Sequence, residues 1–201
     1  MKHLKSLEIC AGGGGQALGL EQAGFEHVAL VEIEKSACMT LKLNRPYWNV
    51  IEADITKFSA IDYRGVDLLA GGIPCPPFSV AGKQLGKNDE RDLFPEVIRL
   101  ISECEPKAVM IENVRGLFDS IFDDYRTFIT ASIEELGYEC FWQLLNASDF
   151  GVSQLRPRAV LVALKNEYSD NFKFPTPYKN PPPTVGELLF EEMSRLGWEG
   201  A

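Results

Sequence analysis

Two kinds of hydrophobic patterning take turns along the 201 residues. Short, nearly continuous apolar runs predict strands over residues 6–10, 27–32, 49–52, 66–70, 108–112, 140–146 and 159–164. Between them, apolar residues recur at helical spacing, which predicts helices over 16–23, 35–44, 93–103 and 125–136. Gly24 and Gly137 stop two of these helices, and Pro46 limits a third. Leu18, Leu93, Val97, Leu100 and Ile101 are the candidate core positions on the helices. The runs lack strict alternation, as expected for strands buried on both faces. Strand and helix alternate throughout. The expected fold class is therefore α/β: a mostly parallel sheet with helices on both faces. No internal repeat is visible.

The pattern changes after Lys165. Phe174-Pro175-Thr176-Pro177 and Pro181-Pro182-Pro183 read as an extended connector. Thr184, with Glu187 three residues on, has the signature of a capping box opening one more helix. The expected organisation is one domain over 1–170 and a proline-rich connector over 171–201, leading towards a further domain.

Composition narrows the class. With 45% hydrophobic residues the chain is globular, and no apolar run approaches the length of a membrane span. The first residues lead straight into a strand with no signal-peptide pattern. Five scattered cysteines without CxxC spacing argue against a disulfide framework or a zinc site and point to a reducing, cytoplasmic setting. The net charge of −9 counts against a nucleic-acid binder, which usually presents a basic face.

Four stretches carry candidate chemistry. Gly71-Gly72-Ile73-Pro74-Cys75-Pro76-Pro77-Phe78-Ser79 follows the fourth strand. Its glycines allow a turn, and prolines on both sides of Cys75 stiffen the loop that carries the thiol. Strand ends are where ligands bind in such sheets, although most lone cysteines are simply buried. His3 and His27 lie far from Cys75 in sequence, which argues against a Cys/His hydrolase. Gly12, Gly14 and Ala17 fit G-x-G-x-x-A between a strand and a helix. Glu32 ends the second strand 20 residues after Gly12, where an acid accepts from ribose hydroxyls; Asp54, after the third strand, is placed for a base edge. Either acid alone is more commonly a solvated strand end. Together they suggest an adenosine-containing cofactor, without separating a dinucleotide from S-adenosylmethionine.

Glu112 closes the fifth strand ahead of Asn113-Val114. It shares the sheet edge with Cys75, where a carboxylic acid protonates or hydrogen-bonds a ring nitrogen; the plainer reading is a carboxylate paired with a cation. Gln154, Arg156 and Arg158 point to one face if the chain there is extended. Two guanidiniums suit a phosphate or carboxylate, and a surface basic pair is the plainer reading.

These motifs, in this order, resemble the cytosine-5 DNA methyltransferase family. Ala11 to Gly15 resembles its cofactor loop, Glu32 and Asp54 its cofactor acids, and Gly72-Ile73-Pro74-Cys75 its Pro-Cys loop. Glu112-Asn113-Val114 and Gln154 to Arg158 resemble its Glu-Asn-Val and Gln-x-Arg-x-Arg motifs. Ile73 stands where the family usually has a second proline, and Pro76 where it usually has glutamine. The resemblance implies a Rossmann-like methyltransferase fold binding S-adenosylmethionine and no metal. The implied cofactor residues are Cys10, Ala11, Gly12, Gly14, Glu32, Ile33, Asp54, Ile55, Pro74 and Leu93.

It also implies a mechanism. Cys75 attacks C6 of a flipped cytosine while Glu112 engages N3; Arg158 orients Glu112 and the base, and Arg156 supports the nucleophile. Residues 80–92, with Gly82 and Gly86 as hinges, would close over the base, and Lys83 and Lys87 would meet phosphates. The resemblance implies a monomer acting on DNA, with a restriction enzyme as its partner in a restriction-modification system. The family continues into a target-recognition region and two closing motifs, and nothing in the 201 residues resembles them. A tRNA methyltransferase of the same family and a silent cofactor-binding fragment remain open. A dehydrogenase would leave the Pro-Cys and Gln-x-Arg-x-Arg motifs unexplained.

Overall fold

A computed structural model describes residues 3–74 and 92–198. Cys75, Lys83, Lys87 and the hinge glycines Gly82 and Gly86 lie outside the described residues. Among the described residues, seven strands form one sheet: β1 (Leu4–Ile9), β2 (Phe25–Glu32), β3 (Val50–Glu52), β4 (Leu68–Gly72), β5 (Ala108–Val114), β6 (Tyr138–Asn146) and β7 (Pro157–Lys165). Their order is β3-β2-β1-β4-β5-β7-β6. Pairings from β3 through β5 are all parallel. β7 enters between β5 and β6 and runs antiparallel to both. The sequence pattern does not show that reversal, because a strand buried on both faces reads the same in either direction.

Among the described residues, five α-helices accompany the sheet: α1 (Gly15–Gln22), α2 (Lys35–Asn44), α3 (Phe94–Cys104), α4 (Asp123–Glu134) and α5 (Val185–Arg195). On one face Leu7, Ile9, Leu69, Val109 and Ile111 pack with Val97, Leu100 and Ile101 of α3 and Ile129 and Ile133 of α4. Each such side chain, fully buried, contributes roughly 1.5–3 kcal/mol. On the other face Leu30 packs with Ala17, Cys38 and Leu41, and Leu20 with Leu68 and Ala70. Helices therefore cover both faces, as the alternation implies.

Several expectations change. Leu18 is 37% exposed, because α1 turns Ala17 and Leu20 inward instead. Gly71 and Gly72 are not a turn but the last two residues of β4. A Cβ at Gly71 would lie 2.6 Å from Ile9 Cγ1 and 2.8 Å from Ile9 O, so glycine is needed for the close approach of β4 to β1. β4 also begins later than expected, at Leu68, since the amide of Val66 is taken by Tyr63 O in a turn. β5 runs two residues past Glu112, because Asn113 and Val114 pair with Ala159 and Arg158 of β7. Leu93 precedes α3 and is only partly buried.

The connector keeps its expected cap. Thr184 Oγ1 accepts from Glu187 N at 3.2 Å, and Glu187 Oε2 accepts from Thr184 N at 2.7 Å. No residue of α5 is buried. No helix among the described residues is long and apolar enough to cross a membrane.

Candidate active site

The site grows from the loop after β1. Cys10 adopts a left-handed φ of 51°, and Gly14 one of 87°. A Cβ at Gly14 would lie 2.6 Å from Leu41 Cδ2, so this glycine seats the start of α1 against α2. The tight loop presents the Gly12 amide to Glu32 Oε2 at 2.7 Å, and Glu34 N donates to Glu32 Oε1 at 2.7 Å. Glu32 is 7% exposed and is thus no solvated strand end. Each of its oxygens keeps a second lone pair for a ligand hydroxyl. Asp54 Oδ1 accepts from Thr56 N at 2.9 Å. That amide, helped by the Thr56 hydroxyl, holds the Asp54 carboxyl below its usual pKa.

A cavity of about 360 Å³ opens at this edge, in the range of small-molecule sites. Cys10 and Gly12 line it from the loop, and Glu32 and Ile33 from the end of β2. Ala53, Asp54 and Ile55 follow β3, Gly72 and Pro74 follow from β4, and Leu93 closes the side towards α3. Of the expected cofactor residues, Ala11 and Gly14 are not in this group. Burial, reinforced by the charges of Glu32 and Asp54, pushes the Cys10 thiol up to about 12. It is a neutral wall and a poor nucleophile.

A second cavity, of about 470 Å³, adjoins the first, with Cys10 and Gly72 lining both. Glu112, Arg156 and Ala11 line it, as do Glu8 and Gln16. Glu112 stands opposite Gly72 in the β4–β5 ladder. Arg158 Nε lies 2.5 Å from Glu112 Oε1. Arg156 precedes β7 and donates its backbone N–H to Asn146 Oδ1 at 2.8 Å. Gln154 lies in a bend before the strand, so the common extended face expected for Gln154, Arg156 and Arg158 is interrupted. The position of Cys75 is not described, but Pro74 immediately before it lines the first cavity.

Glu8, Gln16 and Ala53 were not singled out by sequence reasoning as site residues, and Gly72 was named only as part of the loop that carries Cys75. A signal for Glu8 was present: it is a charge between Leu7 and Ile9, inside a strand buried on both faces. No cluster of three or more His, Cys, Asp or Glu suited to a metal occurs among the described residues.

A family model described as C-5 cytosine-specific DNA methylase matches residues 4–199. The chain belongs to this family. Within it, the chain is 66% identical to the Type II methyltransferase M.NgoMIV of Neisseria gonorrhoeae, over 98% of the chain and 63% of that protein. It is 50% identical to M.NaeI of Lentzea aerocolonigenes, over 100% of the chain and 49% of that protein. The chain thus spans about half to under two thirds of the length of these relatives. A solved DNA modification methyltransferase encoded in an Escherichia coli prophage superposes with a TM-score of 0.80 at 26% identity, over 93% of this chain and 54% of that one. A DNMT2 mutant from Spodoptera frugiperda gives 0.73 at 27% identity, over 89% and 57%. The sheet described above is therefore the Rossmann-like methyltransferase fold of the family.

Proposed function

We propose that these residues are the cofactor-binding and catalytic part of a DNA cytosine-5 methyltransferase using S-adenosylmethionine. The observation that carries this reading is the adjacency of the two cavities. One is built from the glycine loop, Glu32 and Asp54, and the other from Glu112 and Arg156, and Cys10 and Gly72 line both. A nucleoside-shaped donor and a flipped base would meet over Gly72, next to the Pro74-Cys75 loop.

The residues fit the cofactor. Glu32 has acceptor capacity for ribose hydroxyls, and Asp54 for the exocyclic amine of the purine. Cys10, Ile33, Ile55, Pro74 and Leu93 would flank the purine and exclude water. When bound, the cofactor supplies an activated methyl group on a sulfonium. Glu112, held by Arg158, engages cytosine N3, so that Sγ of Cys75 adds to C6 and makes C5 nucleophilic. After C5 has been alkylated, loss of its proton breaks the Sγ–C6 bond and restores the ring. Arg156 supports the nucleophile. We place this chemistry in residues 1–170 and read 171–201 as a connector. We read the protein as a cytoplasmic monomer and the modifying partner of a restriction enzyme, by its likeness to the Type II methyltransferases.

The test is covalent trapping. DNA carrying 5-fluorocytosine should form a denaturation-resistant adduct with the protein in the presence of S-adenosylmethionine, because fluorine at C5 blocks elimination. Cys75→Ala should form none. An adduct with the Ala variant, or methyl transfer to tRNA and not to DNA, would overturn this reading.

A further inference from the structure

The hairpin loop that delivers Arg156 to the second cavity has no apolar anchor of its own. It runs from Ala147 to Arg156, between β6 and β7, and none of its residues is buried. Val152 and Leu155 are 49% and 83% exposed. The foot of the loop is tied. Ala147 N donates to Arg156 O at 3.2 Å, and Arg156 N to Asn146 Oδ1 at 2.8 Å. Between these ends run short turn bonds, from Gly151 N to Ser148 O, Val152 N to Ala147 O and Gln154 N to Val152 O. So lightly packed a loop lies at the low-stability end of a structure.

The connector comes back to this loop. Asn166 N donates to Gly137 O just before β6, the Phe172 ring lies 4.9 Å from that of Phe141 within β6, and Tyr178 N donates to Asp149 O, past its end, at 2.8 Å. The chain that β7 carries away from the site thus returns along β6 to the same edge. There the Tyr178 ring meets Phe150 edge-on, with centroids 6.2 Å apart. It also packs on the bare face of Gly151, 3.4 Å from where a Cβ would sit. Ser153 Oγ donates to Pro183 O at 2.6 Å. The contacts are spread over the arc of the loop, at residues 149, 150, 151 and 153. Prolines at 175, 177 and 181–183 stiffen the connector, so it holds the loop at little entropic cost.

We propose that Tyr178 and Ser153 are positioning residues, which latch the 147–156 loop to the connector so that Arg156 is held at the second cavity; this rests on the functional reading above, in which Arg156 supports the Cys75 nucleophile. Arg156 lines that cavity. Among the described residues, the lining of neither cavity includes any of the connector. The latch therefore acts through Arg156 and touches neither ligand. Misplacing a catalytic group by about 1 Å can cost about a hundredfold in rate. The cavity around Glu32 and Asp54 lies on the far side of β1 and β4 from the loop, and ligand affinity there does not depend on the latch.

The rate of covalent trapping on 5-fluorocytosine DNA, at saturating S-adenosylmethionine, tests this. Tyr178→Ala combined with Ser153→Ala should slow adduct formation about ten- to a hundredfold, with S-adenosylhomocysteine affinity by calorimetry unchanged. Tyr178→Phe combined with Ser153→Thr should keep the wild-type rate, because the ring and a hydroxyl remain. In an Arg156→Ala background the paired alanines should slow the reaction no further, as expected of residues that act through one group. Amide hydrogen exchange of the paired-alanine variant should rise in residues 147–155 and stay unchanged in β1, β4 and β5, which also reports that it is folded. A wild-type rate for that variant, unchanged exchange in the loop, a full further slowing on top of Arg156→Ala, or weakened S-adenosylhomocysteine would overturn the latch and leave the functional reading intact. Absence of any adduct with the wild type would overturn the functional reading and the positioning role together.

Discussion

Arg158 reaches Glu112 on a diagonal of the β5–β7 ladder: the residue directly opposite Glu112 is Val160, yet Nε of Arg158 lies 2.5 Å from its Oε1. Diagonal neighbours on one face are within reach of a long side chain. The antiparallel direction of β7 makes this possible, because its first residues arrive at the same edge as the last residues of β5. Both side chains remain partly exposed, at 24% and 36%.

Arg158→Ala should therefore cost less than about 1 kcal/mol of stability. Methyl transfer should fall roughly a hundredfold or more if Glu112 loses its orientation. Arg158→Lys should not restore it, because an ammonium lacks the planar fork of a guanidinium. Single-turnover rates set beside melting curves decide. A large fall in Tm with an unchanged rate would make the pair purely structural.

The adjacent glycines of β4 should respond differently to alanine. A Cβ at Gly71 meets Ile9 backbone O at 2.8 Å, and backbone cannot swing aside. At Gly72 the new atom meets only side-chain ends, at 3.4 and 3.7 Å. Gly71→Ala should destabilise by about 1–3 kcal/mol, as overpacking does. Each kcal/mol corresponds to about 2–4 °C in Tm for a chain of this size. Gly72→Ala should melt near the wild type. Thermal denaturation of the two variants tests the contrast.

Glu32 is both a structural acceptor and a candidate ligand. Glu32→Ala leaves the amides of Gly12 and Glu34 without their acceptor. Stability should fall by about 1–3 kcal/mol, and S-adenosylhomocysteine affinity by roughly ten- to a hundredfold. Denaturant titration and calorimetry measure the two separately. Equal ligand affinity in the variant would remove Glu32 from the cofactor site.

A buried group and a half-buried one tilt stability with pH in opposite directions. The Glu8 pKa is raised from 4.5 to about 8, so the folded state holds a proton that the unfolded state has lost. Its contribution is full below about 4.5 and is lost as pH rises to about 8. Burial lowers the His27 pKa below 6.5, so its contribution is present above that value and is lost as pH falls through the folded pKa. In ligand-free protein, Glu8→Gln should gain in Tm relative to wild type from pH 5 to pH 8. His27→Gln should flatten the decline below pH 6.5. Parallel wild-type and Glu8→Gln curves would show that Glu8 is not protonated in the fold.

Local patterning made the parallel half of the sheet readable. A glycine loop, an acid at the end of β2 and another after β3 are read from spacing along the chain, and the structure gathers Gly12, Glu32 and Asp54 around one cavity. Glu112 and Arg158 are 46 residues apart in number, and no local rule brings them together. Their meeting depends on the reversed entry of β7, which hydrophobic runs do not encode. Gly72 was read as a turn because glycine signals turns more often than close strand packing. Gln16 gave no sign at all, since a glutamine in the first turn of a helix is ordinary until its surroundings are known.

The insertion of β7 also fixes the order in which the chain can finish. β6 is made before β7, yet it cannot take its place in the sheet until β7 has paired with β5. On the ribosome, the edge of β5 stays open while residues 115–156 emerge, and an open strand edge invites pairing with other chains. Arg158 arrives on the strand that closes that edge. The Glu112–Arg158 pair therefore forms only once the strand that covers the β5 edge has arrived.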